Sequence, residues 1–192
     1  MSQDPQSSLQ TGDALLVIDM QNDFCPGGAL AIADGDQVIP VLNRWLEAAR
    51  KDGIPVYASR DWHPLEHPSF EAQGGPWPPH CLQDSPGARF HADLELPPDV
   101  IKVTKGVRFD QDQYSAFDQT GLATEFRNKG VARVWIGGLA QDVCVAASAI
   151  DARNEGFEVR LIAEATRPVT VEGGREALQR MKEAGVETMA DG

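Results

Sequence analysis

The sequence predicts an α/β fold: a single domain with a mostly parallel six-stranded sheet and helices on both faces. Three observations carry that expectation. Short apolar runs recur along the chain, and segments of helical spacing separate them. The first run, Ala14 to Ile18, is apolar without a break, as a strand covered on both faces must be. Strands alternating with helices imply right-handed crossovers, and therefore parallel pairing.

Residues 1–12 read as a flexible polar leader, and 13–192 as the domain. After the first strand, Asp19 to Gly28 is rich in turn formers. Val38, Val41, Leu42, Trp45, Leu46 and Ala49 then fall on one helical face, which Gly53 and Pro55 end. Val56 to Ser59 is a second strand. From 61 to 99 regular periodicity fails: eight of the thirteen prolines and all four histidines lie there. Long structureless loops inside compact domains need something to hold them, and a metal ion is one such device. Val100 to Thr104 resumes strand character, and a short helix covers Ala123 to Lys129. Val131 to Ile136 is the fourth strand, and the two following glycines read as a tight turn into a helix that begins near Cys144. Phe157 to Ile162 is the fifth strand, Thr170 caps a last helix, and Val186 to Met189 supplies a sixth strand.

Totals narrow the function. A net charge of -12 argues against nucleic acid and anionic membrane surfaces as partners. No apolar run approaches the roughly 20 residues a membrane helix needs. Three cysteines form no disulfide framework and no C-x-x-C pair, and the N-terminus lacks the shape of a signal peptide, so a reduced, cytoplasmic setting is expected. There is no G-x-G-x-x-G after the first strand to suggest a dinucleotide site. A homo-oligomer is left open.

In open parallel sheets ligands bind beyond the C-terminal strand ends. The first four strands end in Asp19, in Asp61 beside His63, in Lys105, and in the turn leading to Cys144. Each has a plain structural reading: a turn cap, an arginine partner, a solvated lysine, a packed thiol. Together they describe a site. A cysteine at a helix start is expected to have a lowered pKa, because the helix dipole favours thiolate. Asp61 and His63, two apart, point to one side of an extended segment, and His80 sits on a backbone stiffened by Pro78 and Pro79. That set leaves coordination positions open. His67 is a further candidate ligand, or a loop-packing residue. Phe24, Trp77 and Tyr114 fall in the same loops and, as pocket walls, would favour a flat aromatic substrate.

These motifs resemble a known family. Asp19-Met20-Gln21-Asn22-Asp23-Phe24, Asp61-Trp62-His63-Pro64, Trp77-Pro78-Pro79-His80-Cys81, Lys105-Gly106 and Gly138 to Val145 are similar to the nicotinamidases (pyrazinamidases) within the isochorismatase-like cysteine hydrolases, which have a Rossmann-like three-layer fold. The resemblance spans about Leu15 to the last helix. It implies a catalytic triad of Asp19, Lys105 and Cys144, and an oxyanion hole from the N–H groups of Ala140 and Cys144, with a cis Leu139–Ala140 peptide. It implies one divalent metal on Asp61, His63 and His80, with zinc ahead of iron and manganese. Phe24, Trp77 and Tyr114 match pyridine-pocket positions. The implied reaction is hydrolysis of nicotinamide to nicotinate and ammonia through a Cys144 thioester, for NAD salvage, with pyrazinamide also accepted. Gln141 departs from the pattern, standing where many nicotinamidases have Thr. The alternatives are a related amidohydrolase of ureido or carbamoyl compounds, and a metallohydrolase with Cys144 a bystander.

Overall fold

The computed structural model describes residues 4–189. Six strands form one sheet: β1 Asp13–Ile18, β2 Val56–Asp61, β3 Ile101–Lys105, β4 Arg133–Leu139, β5 Glu158–Arg167 and β6 Glu187–Met189. All are parallel, in the order β3-β2-β1-β4-β5-β6. The winding reverses between β1 and β4, and a sheet of this kind opens its ligand crevice at that reversal. Within the span expected to be a leader, the described residues carry one helical turn, α1 Pro5–Ser8, and Leu9 is buried in the core.

Alternation along the strands fills both faces. Leu15, Val17 and Ala58 pack with α2 (Ile39–Asp52) through Leu42, Trp45 and Ala49. On the other face Leu16, Ile18 and Ile136 pack against α3 (Leu122–Asn128), α4 (Ala146–Asn154) and α5 (Val171–Glu183), with Phe126, Ala149 and Met181 at the contacts. Gly53, at φ 66°, closes α2 in the left-handed conformation that favours glycine.

β4 and β5 run furthest beyond their apolar patterns. β4 continues through Gly137 and Gly138 rather than turning there. A Cβ on Gly138 would lie 2.1 Å from the Ile18 carbonyl oxygen, and one on Gly137 would lie 2.9 Å from Leu42 Cδ2. Close packing against β1 requires Gly138, and Gly137 is crowded by Leu42 of α2 and by Ala165 of β5, so neither marks a turn. β5 extends to Arg167, with a register shift against β4 between Ile136 and Gly138. Both extensions reach the crevice.

The proline-rich loop of 61–99 is tied by its own backbone and by side chains from the β1 exit. His63 N–H donates to Cys81 O and Gln83 N–H donates to His63 O, a short ladder across the loop. Asp23 Oδ2 accepts from Cys81 N–H at 2.8 Å, and Gln21 Nε2 donates to Ala88 O at 2.9 Å.

Candidate active site

Three strand ends deliver the charged groups. Asp19 follows β1 in a left-handed conformation, φ 48°, that turns the chain out of the sheet. Asp61 and Lys105 end β2 and β3 and are paired in register. Lys105 Nζ donates to Asp19 Oδ2 at 2.8 Å and to Asp61 Oδ1 at 2.7 Å, and lies 3.5 Å from Cys144 Sγ. Asp19 Oδ1 accepts from Ser59 Oγ at 2.7 Å. Asp19 and Lys105 have no exposed surface. Two carboxylates thus share one ammonium, leaving one negative charge in a buried cluster, a costly arrangement without a further cation.

Cys144 arrives from β4. The strand ends at Leu139, the Leu139–Ala140 peptide is cis, and a wide helical turn, Gln141–Val145, leads into α4. Cys144 is 6% exposed, and its Sγ lies within 4.8 Å of carboxylate oxygens of Asp19 and Asp61. Electrostatics correct one expectation. Burial pushes the Cys144 thiol well above its ordinary value, and the Asp19 and Asp61 charges add to that rise; the Lys105 charge opposes it without prevailing. The group rests as a thiol, because it is enclosed with two carboxylates rather than exposed at a helix start. Asp19 is raised too, by burial first, with Lys105 pulling the other way. Lys105 stays charged: burial disfavours its ammonium, but Asp19 and Asp61 overcome that and raise it. Burial likewise works against the Asp61 carboxylate, and Lys105 with His63 holds it below the usual range.

Asp61, His63 and His80 gather at the same edge, each offering a ligand atom within 4.8 Å of the others. The donor set fits a divalent metal. His63 Nδ1 is 2.7 Å from Gly106 O and His80 Nδ1 is 2.8 Å from Pro78 O. Each ring therefore gives its Nδ1 proton to a backbone carbonyl and keeps an Nε2 lone pair for an ion. Asp61 uses Oδ1 for Lys105, while its Oδ2 is 3.5 Å from His63 Nε2. Gly106 has to be glycine here, since a Cβ would lie 2.4 Å from His63 Cε1. His67 stacks on His63 with ring centroids 4.0 Å apart, and its buried Nε2 has no hydrogen-bond partner among the described residues. Burial lowers its pKa to about 4.

A pocket opens onto these groups, with Asp61, His80 and Cys144 among its lining residues and Ala140 beside the thiol. Phe24, Trp77 and Tyr114 all line it, and Trp77 Nε1 donates to Tyr114 Oη at 3.1 Å across two loops. Several contributors escape a reading of the sequence. Leu30, Ala31, Ile32, Val143 and Val169 supply apolar wall, and Asp112 adds a carboxylate. Gln21, fully buried, accepts from the Asp61 N–H with Oε1 at 2.8 Å and donates to the Asp61 carbonyl with Nε2 at 2.7 Å. It replaces the strand rung that β1 gives up by turning away at Asp19. Gln141 points elsewhere: its Nε2 donates to Thr166 Oγ1 at 2.8 Å, and it does not line the pocket.

Comparison with known proteins places this arrangement. The Isochorismatase domain model matches residues 13–191. The nicotinamidase of Escherichia coli strain K12 is 36% identical over 203 residues, covering 93% of this chain and 95% of its own. Among solved structures, the pyrazinamidase of Pyrococcus horikoshii in complex with zinc superposes with a TM-score of 0.90 at 43% identity, covering 94% of this chain and 99% of that one. PnC1 of L. infantum in complex with nicotinate gives 0.85 at 38% identity, covering 93% and 92%. The matched span takes in every strand and every group of the cluster, and this chain belongs to the isochorismatase family.

Proposed function

We propose that this protein hydrolyses nicotinamide to nicotinate and ammonia, and accepts pyrazinamide as well. The observation that carries the reading is the buried Asp19–Lys105–Cys144 cluster, which shares Asp61 with a three-ligand metal set beside an aromatic-walled pocket. The E. coli relative and the nicotinate-bound PnC1 support the same substrate. Phe24, Trp77 and Tyr114 give a flat ring faces to stack on, which a linear ureido or carbamoyl chain would not use.

In this reading Asp19 takes the thiol proton as Cys144 Sγ bonds to the amide carbon. Its raised pKa suits it to that exchange, because a base is most effective near the working pH. The oxyanion meets the Ala140 and Cys144 N–H groups, fixed donors worth roughly 3–4 kcal/mol each. Asp19 then passes its proton to the amide nitrogen, the C–N bond breaks, and ammonia leaves. Water attacks the thioester carbon and gives a proton to Asp19, which returns it to Cys144 Sγ as the C–S bond breaks; the product acid loses its remaining proton to solvent and leaves as nicotinate. Lys105 keeps its ammonium throughout and offsets whichever of Asp19 and Cys144 is negative. A divalent metal on Asp61, His63 and His80, with zinc favoured by the N/O donors and by the P. horikoshii structure, would supply a Lewis-acid anchor for the ring nitrogen. Three free thiols suit a reduced, cytoplasmic setting, and nicotinate there is available for NAD salvage.

Purified, metal-loaded protein should release ammonia from nicotinamide, and no release would reject the substrate. A linear ureido substrate turned over faster than nicotinamide would favour the other amidohydrolase reading.

A further inference from the structure

The turn carrying Cys144 is fastened at two points, one at the end of β5 and one just beyond it. Gln141 Nε2 donates to Thr166 Oγ1, which itself donates to Ala163 O at 2.8 Å. One residue on, Asp142 Oδ1 accepts from Val169 N–H at 2.8 Å, and its Oδ2 is 3.5 Å from Thr170 N. Two glycines at the start of α5 make room for these side chains. A Cβ on Gly173 would lie 2.4 Å from Asp142 Oδ2, and one on Gly174 would lie 2.8 Å from Gln141 Oε1. Val169, the residue Asp142 grips by its backbone, is 44% exposed and lines the pocket.

We propose that Asp142 is a positioning residue for ring selection. It holds the Val169 backbone, so that the Val169 side chain limits how large a ring substituent can reach Cys144. This rests on the reading of the pocket as a site for a flat aromatic amide. It also reassigns Gln141, the one departure in the motif around the thiol. Gln141 braces the turn against Thr166 and acts on selectivity only through that brace. The grip on Val169 needs one acceptor oxygen, which Oδ1 supplies, and the 3.5 Å approach of Thr170 N to Oδ2 is a weaker second contact.

The test reads the wall directly, without requiring turnover. Cys144 is alkylated with iodoacetamide and, separately, with the bulkier N-phenyliodoacetamide, and the modified peptide is followed by mass spectrometry. Val169→Ala should raise the bulky-to-small rate ratio about tenfold, as expected for opening an apolar pocket by a few carbons. Asp142→Ala should raise it similarly, with the iodoacetamide rate within about twofold of wild type, and the double variant should exceed neither single change by more than that. Asp142→Asn keeps an oxygen for the Val169 N–H and should restore most of the wild-type ratio. Asp142→Ser, too short to reach, serves if Asp142→Ala does not fold. An unchanged ratio in Val169→Ala removes Val169 from the wall. A raised ratio there with an unchanged one in a folded Asp142→Ala or Asp142→Ser overturns the positioning role. Asp142→Asn behaving like Asp142→Ala overturns the hydrogen-bond argument. A wild-type protein that gives the expected ratios but releases no ammonia from nicotinamide rejects the substrate and leaves the role of Asp142 standing.

Discussion

Lys105 is the residue on which both halves of the site depend, since its one ammonium contacts Asp19, Asp61 and Cys144. Lys105→Met would leave two buried carboxylates facing each other, and in metal-free protein should cost about 3–5 kcal/mol by urea unfolding. Loss of less than about 1 kcal/mol would mean that the cluster is solvated, contrary to its burial. The pH profile follows from Asp19. As the proposed base this group must be ionised for turnover, and its pKa in the folded protein is raised. Activity is therefore lost as pH falls through that raised value, so the acid limb of kcat/KM should lie above the ordinary carboxylate range. An acid limb at or below about 4 would remove Asp19 as the base. Much of this was legible in the residues: carboxylate, lysine and thiol stand at four successive strand ends. The direction of the thiol shift was not, because it depends on enclosure beside Asp19 and Asp61, which no local pattern encodes.

At the scale of elements, apolar runs located every strand but not where β4 and β5 stop. A run of Val and Ile marks a covered strand, whereas Gly137 and Gly138 look like punctuation until their neighbours are known. Their role is set by Ile18 and Leu42, more than ninety residues away in the chain. Gly138→Ala should destabilise by about 2–5 kcal/mol in denaturant titration, through its φ of 126° and the clash with the Ile18 carbonyl. A change within about 0.5 kcal/mol, as at an unconstrained surface position, would return Gly138 to an ordinary turn. Gln21 and Asp142 were hidden for the same reason. Each acts by hydrogen bonds to backbone distant in sequence, Asp61 in one case and Val169 in the other. The histidines of the 61–99 loop were readable because stiff prolines and close spacing are local features.

For the whole molecule, the sheet order brings four strand ends and one long loop to a single crevice, and the proposed metal ligands Asp61, His63 and His80 sit where they meet. Ion binding should therefore stabilise the fold as well as complete the site. Removing metal with a chelator should lower Tm, and restoring zinc to a hundredfold excess over Kd should return about 2.7 kcal/mol. Identical melting of depleted and loaded protein would deny that the trio is a metal site. No helix among the described residues is long and apolar enough to cross a membrane. The central claim, that Cys144 attacks nicotinamide, is tested most directly by acid-quenching the enzyme during turnover and mapping its peptides by mass spectrometry. A nicotinoyl group on the Cys144 peptide, absent when Asp19→Asn blocks proton transfer, is the predicted result. Ammonia release that persists in Cys144→Ala, with no acylated cysteine in the wild type, would contradict it.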